Sequence, residues 1–190
     1  MTQTIIIAVS YALYLSDNLI RELLRLKNRA PHLSHNAEDR YSIVFTVLYL
    51  FVVLLIPVIR IFGIGNYVNV ALQTSGIFIQ IVGLVIRVWS LQTLGRFYTG
   101  QLAITTNHRI ITSGPYRYIR HPGYLSVLIQ SIGFGLATGN LVCMGIIILL
   151  YFCVYTYRIH MEEKMLIDHF GEEYRMYSKR TSRVLPFIWL

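Results

Sequence analysis

Charged side chains are scarce in this chain. They make up 14% of its 190 residues, against 55% hydrophobic ones, and the mean hydropathy is +0.53. A soluble domain of that length needs more polar surface over its core, so a water-soluble enzyme or binding module is excluded. Acidic residues are fewer still, 9 against 17 Lys and Arg. Cysteine is limited to Cys143 and Cys153, both in one apolar run. Neither disulfide-framework nor metal-type spacing is present, and both are expected as small buried hydrophobes. No positively charged segment precedes the apolar N-terminus and no A-x-A-like site follows it, so a retained span is expected there, not a cleaved signal peptide.

In place of charge the chain has apolar runs close to the roughly 20 residues that cross a bilayer. They predict an all-α integral membrane protein, a single domain over 1–190 with five transmembrane helices. The spans fall at about 2–20, 41–62, 70–94, 124–138 and 141–157. Asp17 and Asn18 lie near the inner end of the first, and Pro57 is expected to kink the second. Gly63 to Asn69 is a short turn with an interface-type Tyr67. In the third span Gly76 and Gly83 are spaced for close helix contact, while Arg87 and Trp89 mark its return to the interface. The last two form a tight hairpin about Thr138-Gly139-Asn140, each arm roughly 24 Å long at 1.5 Å per residue.

Basic residues set the orientation. Of the 17, five lie in 21–40, four in 95–122 and six in 158–190. An odd number of spans puts all three segments on one side, as the positive-inside rule requires. The N-terminus is therefore expected outside, with the C-terminus and all candidate chemistry facing the cytoplasm. This distribution also disposes of the nucleic-acid reading of the net +8.

Three motifs compete for attention. His32-Leu33-Ser34-His35 offers two imidazoles without carboxylate or thiolate partners, so a solvated loop is expected there and no metal is implied. Gly133-Phe134-Gly135, followed by Gly139, resembles a nucleotide-binding glycine loop, but that loop works only between a strand and a helix. Inside an apolar hairpin it reads as small-residue helix packing. The third is the polar stretch His108 to Tyr124, answered by Arg158, Glu162 and Glu163. Gly114-Pro115-Tyr116 begins as a turn, and Arg117, Arg120 and His121 precede Pro122 in the first turn of the fourth span. A basic interfacial anchor needs only charge, whereas this stretch also specifies Gly, Pro and His positions. Such a cluster at a membrane boundary is costly unless something polar binds there. Arg158 and Glu162 share a helix face, in the weaker Arg-first order for a simple ion pair, whereas Glu163 is expected to point elsewhere.

The spaced set reads Gln101, His108 to Ile111, Gly114-Pro115-Tyr116, Arg120-His121-Pro122-Gly123-Tyr124, Arg158, Glu162-Glu163, Phe170-Gly171-Glu172-Glu173-Tyr174, Tyr177 and Leu185-Pro186. It closely resembles the signature of the isoprenylcysteine carboxyl methyltransferases, integral membrane enzymes that use S-adenosylmethionine. The resemblance covers roughly 95–188, and the chain has the length of a compact prokaryotic-type member. It implies a catalytic region over 95–190, with a cytoplasmic cofactor pocket built from the 95–122 segment and the C-terminal tail. The implied S-adenosylmethionine contacts are Gln101, His108, Arg109, Ile110, Ile111, Tyr116, His121, Pro122, Gly123, Tyr124 and Glu162, with Arg158 and Glu162 as catalytic residues and Arg158 as the substrate-binding one. The implied partner is a prenylcysteine-like lipid substrate arriving from the bilayer between spans. Its carboxylate is already ionised at neutral pH, so it can attack the methyl carbon without a general base. A lipid-amine or phospholipid N-methyltransferase, an NADPH-dependent sterol-type reductase and a non-enzymatic lipid-binding protein stand as alternatives. Cofactor binding and the nature of the acceptor separate them.

Overall fold

The computed structural model describes residues 2–27, 47, 51, 55, 58–98, 104 and 107–185. Five α-helices run through these: α1 (Thr2–Lys27), α2 (Val70–Leu94), α3 (Pro122–Thr138), α4 (Leu141–Phe170) and α5 (Glu172–Arg180). Short 3-10 turns cover Gly95–Phe97 and Gly114–Arg117, and no strand occurs among the described residues. Most of the expected second span lies outside the described residues, and Pro57, His32 and His35 with it. Its last turn, 58–61, is helical.

Local sequence explains the boundaries. Asn69 caps α2 by accepting from the Leu72 amide at 3.0 Å. Pro122 opens α3 at a position where its missing N–H costs nothing. The hairpin is as tight as expected, because Gly139 takes the left-handed conformation (φ 65°) that ends α3, and Asn140 caps α4 through the Cys143 amide at 2.8 Å. The fifth expected span ends at 157, and the helix that carries Arg158 and Glu162 on one face continues from it without a break to Phe170, as their shared face implied. Thirteen polar and apolar residues thus prolong α4 beyond the apolar run.

Packing centres on α2 against α3. A Cβ on Gly133 would lie 2.6 Å from the Gly76 carbonyl oxygen and 2.7 Å from the Gln80 amide nitrogen, and one on Gly83 would meet Gln130. Backbones that close require glycine, as the small-residue reading of both helices expected. Helix α1 lies across the pair, with the Tyr11 ring edge-on to Phe134 at 5.0 Å. Its Ser10 and Asp17 point inward. Ser10 donates to Gln80 at 2.7 Å, and Asp17 pairs with Arg87 at 3.5 Å while accepting from Gln130 at 3.3 Å. Arg87, expected at the interface, is therefore buried in a bridge between α1, α2 and α3. Large apolar residues instead face outward, among them Leu15, Phe78, Val85 and Leu149. Cys143 is buried, whereas Cys153 is exposed on this apolar exterior, contrary to expectation. An apolar exterior over a partly polar interior is what a bilayer selects.

Three of the described helices are long and apolar enough to cross a membrane, over Thr2–Leu24, Val70–Phe97 and Leu141–Phe170. With 17 residues, α3 reaches about 26 Å at 1.5 Å per residue.

Candidate active site

At the end of the bundle where α2 finishes and α3 begins, a cavity of about 170 Å³ opens. One wall comes from the 108–124 segment, folded so that the turn at Gly114–Arg117 buries Pro115 and Tyr116. The opposite wall is the polar extension of α4, and α5 closes the base. Gly171 (φ 56°) ends α4 and lets α5 fold back against it.

His108, Arg109, Ile110, Ile111, Tyr116, His121, Gly123, Tyr124, Arg158 and Glu162 all line this cavity. Pro122 does not, being wholly buried as the first residue of α3. Gln101 lies outside the described residues. Sequence reasoning missed Arg87, Leu91, Leu94 and Phe97 from α2 and the turn after it, along with Tyr174 and Tyr177 from α5. The aromatic tail motif was the one signal that could have pointed to the last two.

The centre of the site is the Tyr124 hydroxyl. It donates to Glu162 Oε2 at 2.5 Å and accepts from Arg158 Nε at 3.5 Å. Arg158 and Glu162 do not pair with each other in the described structure but meet through Tyr124, so both retain capacity toward the cavity. Tyr124 stacks on His121, with ring centroids 5.5 Å apart. At the far end His108 sits between Phe97 (5.1 Å) and Phe170 (5.7 Å). Burial, helped by His169, holds His108 below its ordinary pKa despite the opposing Glu162, so the ring is neutral at pH 7 and part of an aromatic corner.

Glu163 does point away from Glu162, as expected, but into a second network. Its carboxylate accepts from Arg120 Nε at 2.8 Å and Arg183 Nη2 at 2.7 Å, and lies 3.3 Å from His121 Nε2. Arg120 also donates to the Ser178 and Thr181 carbonyls at 2.5 and 2.6 Å. Backbone pairing at Arg120–Ser182 and His121–Arg183 completes the clamp. Glu163 thus joins α4, the start of α3 and the chain after α5, which fixes the position of His121 in the cavity wall.

A helical bundle with an apolar exterior, buried polar side chains between its helices and a cavity lined by Arg, Glu, His and Tyr has the character of a membrane protein with a site for a polar ligand. Residues 76–168 match the isoprenylcysteine carboxyl methyltransferase (ICMT) family. The probable protein-S-isoprenylcysteine O-methyltransferase of Oryza sativa subsp. indica is 34% identical over 137 residues, covering 71% of this chain and 68% of that protein. The protein-S-isoprenylcysteine O-methyltransferase of Schizosaccharomyces pombe is 29% identical over 125 residues, 65% of this chain and 53% of its own. A solved structure of the eukaryotic intramembrane Ras methyltransferase ICMT superposes with a TM-score of 0.59 at 26% identity, covering 83% of this chain and 55% of that one. The chain spans little more than half the length of these last two. It belongs to the isoprenylcysteine carboxyl methyltransferase family and is a membrane methyltransferase.

Proposed function

We propose that this protein transfers a methyl group from S-adenosylmethionine to the carboxylate of a prenylated C-terminal cysteine, or of a similar lipid-linked acid, at the cytoplasmic membrane face. The observation that carries the reading is the meeting of Arg158 and Glu162 at the Tyr124 hydroxyl on the cavity wall, in a chain of this family. The topology taken with it is five spans, the N-terminus outside and the cavity in the cytoplasm, as the basic residues argue.

The residues fit the cofactor. An aromatic and aliphatic corner of Phe97, His108, Ile110, Ile111 and Leu166 suits a flat purine, and the Glu162 carboxylate suits hydroxyl or ammonium groups. When bound, the cofactor supplies a methyl group activated by a positive sulfur. The protein has two further tasks, alignment and management of charge in a site with little water. Arg158 holds the acceptor carboxylate through its planar fork. Tyr124 fixes Arg158 relative to Glu162, and His121 stacks behind Tyr124 to hold that ring. No proton needs to be moved, because the acceptor is already an anion.

Glu162→Gln keeps the shape and removes the negative charge. Binding of S-adenosylmethionine, measured by calorimetry in detergent, should weaken by about 1.5–3 kcal/mol, the range for hydrogen bonds to charged groups. Unchanged binding would leave Glu162 without a role in holding the cofactor.

A further inference from the structure

Tyr174, on α5, is only 3% exposed, yet its hydroxyl has no hydrogen-bond partner among the described residues. An unpaired buried hydroxyl carries a desolvation penalty that phenylalanine would avoid with the same ring. The ring is accounted for, since it packs beside Tyr177 and closes the base of the cavity. The hydroxyl is not. Two other tyrosines of the cavity wall have theirs engaged: Tyr177 donates to the Tyr116 carbonyl at 2.7 Å and Tyr124 donates to Glu162. Burial, then the Glu163 and Glu162 carboxylates, hold the Tyr174 hydroxyl well above the ordinary phenol range, so it keeps its proton at any physiological pH. It is a permanent donor on the wall of a cavity that Glu162 also lines, with no acceptor among the described residues.

We propose that the Tyr174 hydroxyl donates a hydrogen bond to an oxygen of bound S-adenosylmethionine, which makes α5 part of the cofactor site. The inference rests on the cofactor reading given above. Two oxygens of that ligand have the right chemistry, a ribose hydroxyl and the amino-acid carboxylate. Either would satisfy a donor that has no partner among the described residues, so ligand binding would settle α5 against the cavity.

Tyr174→Phe tests this, because it deletes the hydroxyl and keeps the ring. The probes are S-adenosylhomocysteine, which carries both oxygens, and 5′-methylthioadenosine, which lacks the amino-acid part. With the full-length protein in detergent, the ligand-free variant should melt at or above the wild-type temperature. Its affinity for S-adenosylhomocysteine should fall about tenfold, equivalent to about 1.4 kcal/mol. A matching fall with 5′-methylthioadenosine assigns the acceptor to the ribose, and an unchanged affinity assigns it to the carboxylate. Equal binding of S-adenosylhomocysteine by variant and wild type overturns the proposal. So does a variant that unfolds or melts lower without ligand, since the hydroxyl would then be bonded within the protein. A wild-type protein that binds neither probe overturns the cofactor reading itself.

Discussion

Arg158 and Glu163 are the two residues whose removal separates chemistry from architecture. Arg158→Lys preserves the charge but loses the planar fork that grips a carboxylate through two parallel bonds. The variant should bind S-adenosylmethionine nearly as wild type and methylate a prenylcysteine acceptor about thirtyfold to a thousandfold more slowly, a barrier increase of about 2–4 kcal/mol. A wild-type turnover rate would remove Arg158 from the acceptor site. Glu163→Gln should act on the fold instead. It leaves Arg120 buried without its anion, and breaking a buried pair costs about 3–5 kcal/mol. The low end applies, because the Ser178 and Thr181 carbonyls still accept from Arg120. Thermal melting without ligand measures this loss, and an unchanged melting temperature would contradict the clamp. At this scale the sequence was legible where a residue sits in a spaced motif, as with His108, Tyr124 and Glu162. It was not legible for Arg87, whose burial depends on Asp17 seventy residues earlier, nor for Glu163, whose partners come from two distant segments.

Helices α2 and α3 touch through glycine, and this contact holds one wall of the cavity in place. Gly133→Ala forces a Cβ against backbone atoms of α2 at 2.6 and 2.7 Å, neither of which is the end of a flexible side chain. Overpacking of this kind costs about 1–3 kcal/mol, and cofactor affinity should fall along with melting temperature. Gly145→Ala on α4 is the matched control, since its Cβ would meet nothing within 4 Å. There the substitution should leave stability unchanged or raise it by about 0.5–1 kcal/mol, the usual helix-interior preference for alanine. If both variants melt alike, the glycine contact is not what sets the helix spacing. Element identity was readable from apolar run length, from Pro122 and from the turn at Thr138-Gly139-Asn140, and α2 runs over 70–94 as expected. The end of α4 was not readable that way. Hydropathy drops at Arg158 while helical propensity does not, and the bilayer boundary and the helix boundary are set by different physics.

The whole molecule is a bundle with an apolar exterior, polar side chains buried between its helices, and its Arg, Glu and His cluster gathered at one cavity. Single cysteines at Ser113 and Arg180, in a background lacking Cys143 and Cys153, should both label from the cytoplasm, while one at Ile64 should label from outside. External labelling of Ser113 would reverse the orientation argued from charge. The architecture was legible in composition and run length, and the cavity in motif spacing. The inward Ser10, Asp17, Gln80 and Gln130 were not, because a helical pattern does not reveal which face its neighbours will cover. The most direct test of the account is product analysis with purified protein, methyl-labelled S-adenosylmethionine and a panel of lipid acceptors bearing a carboxylate, an amine or neither. The account predicts label on the prenylcysteine carboxylate, as an ester that alkali releases. Label on an amine, stable to alkali, with none on the carboxylate would contradict it.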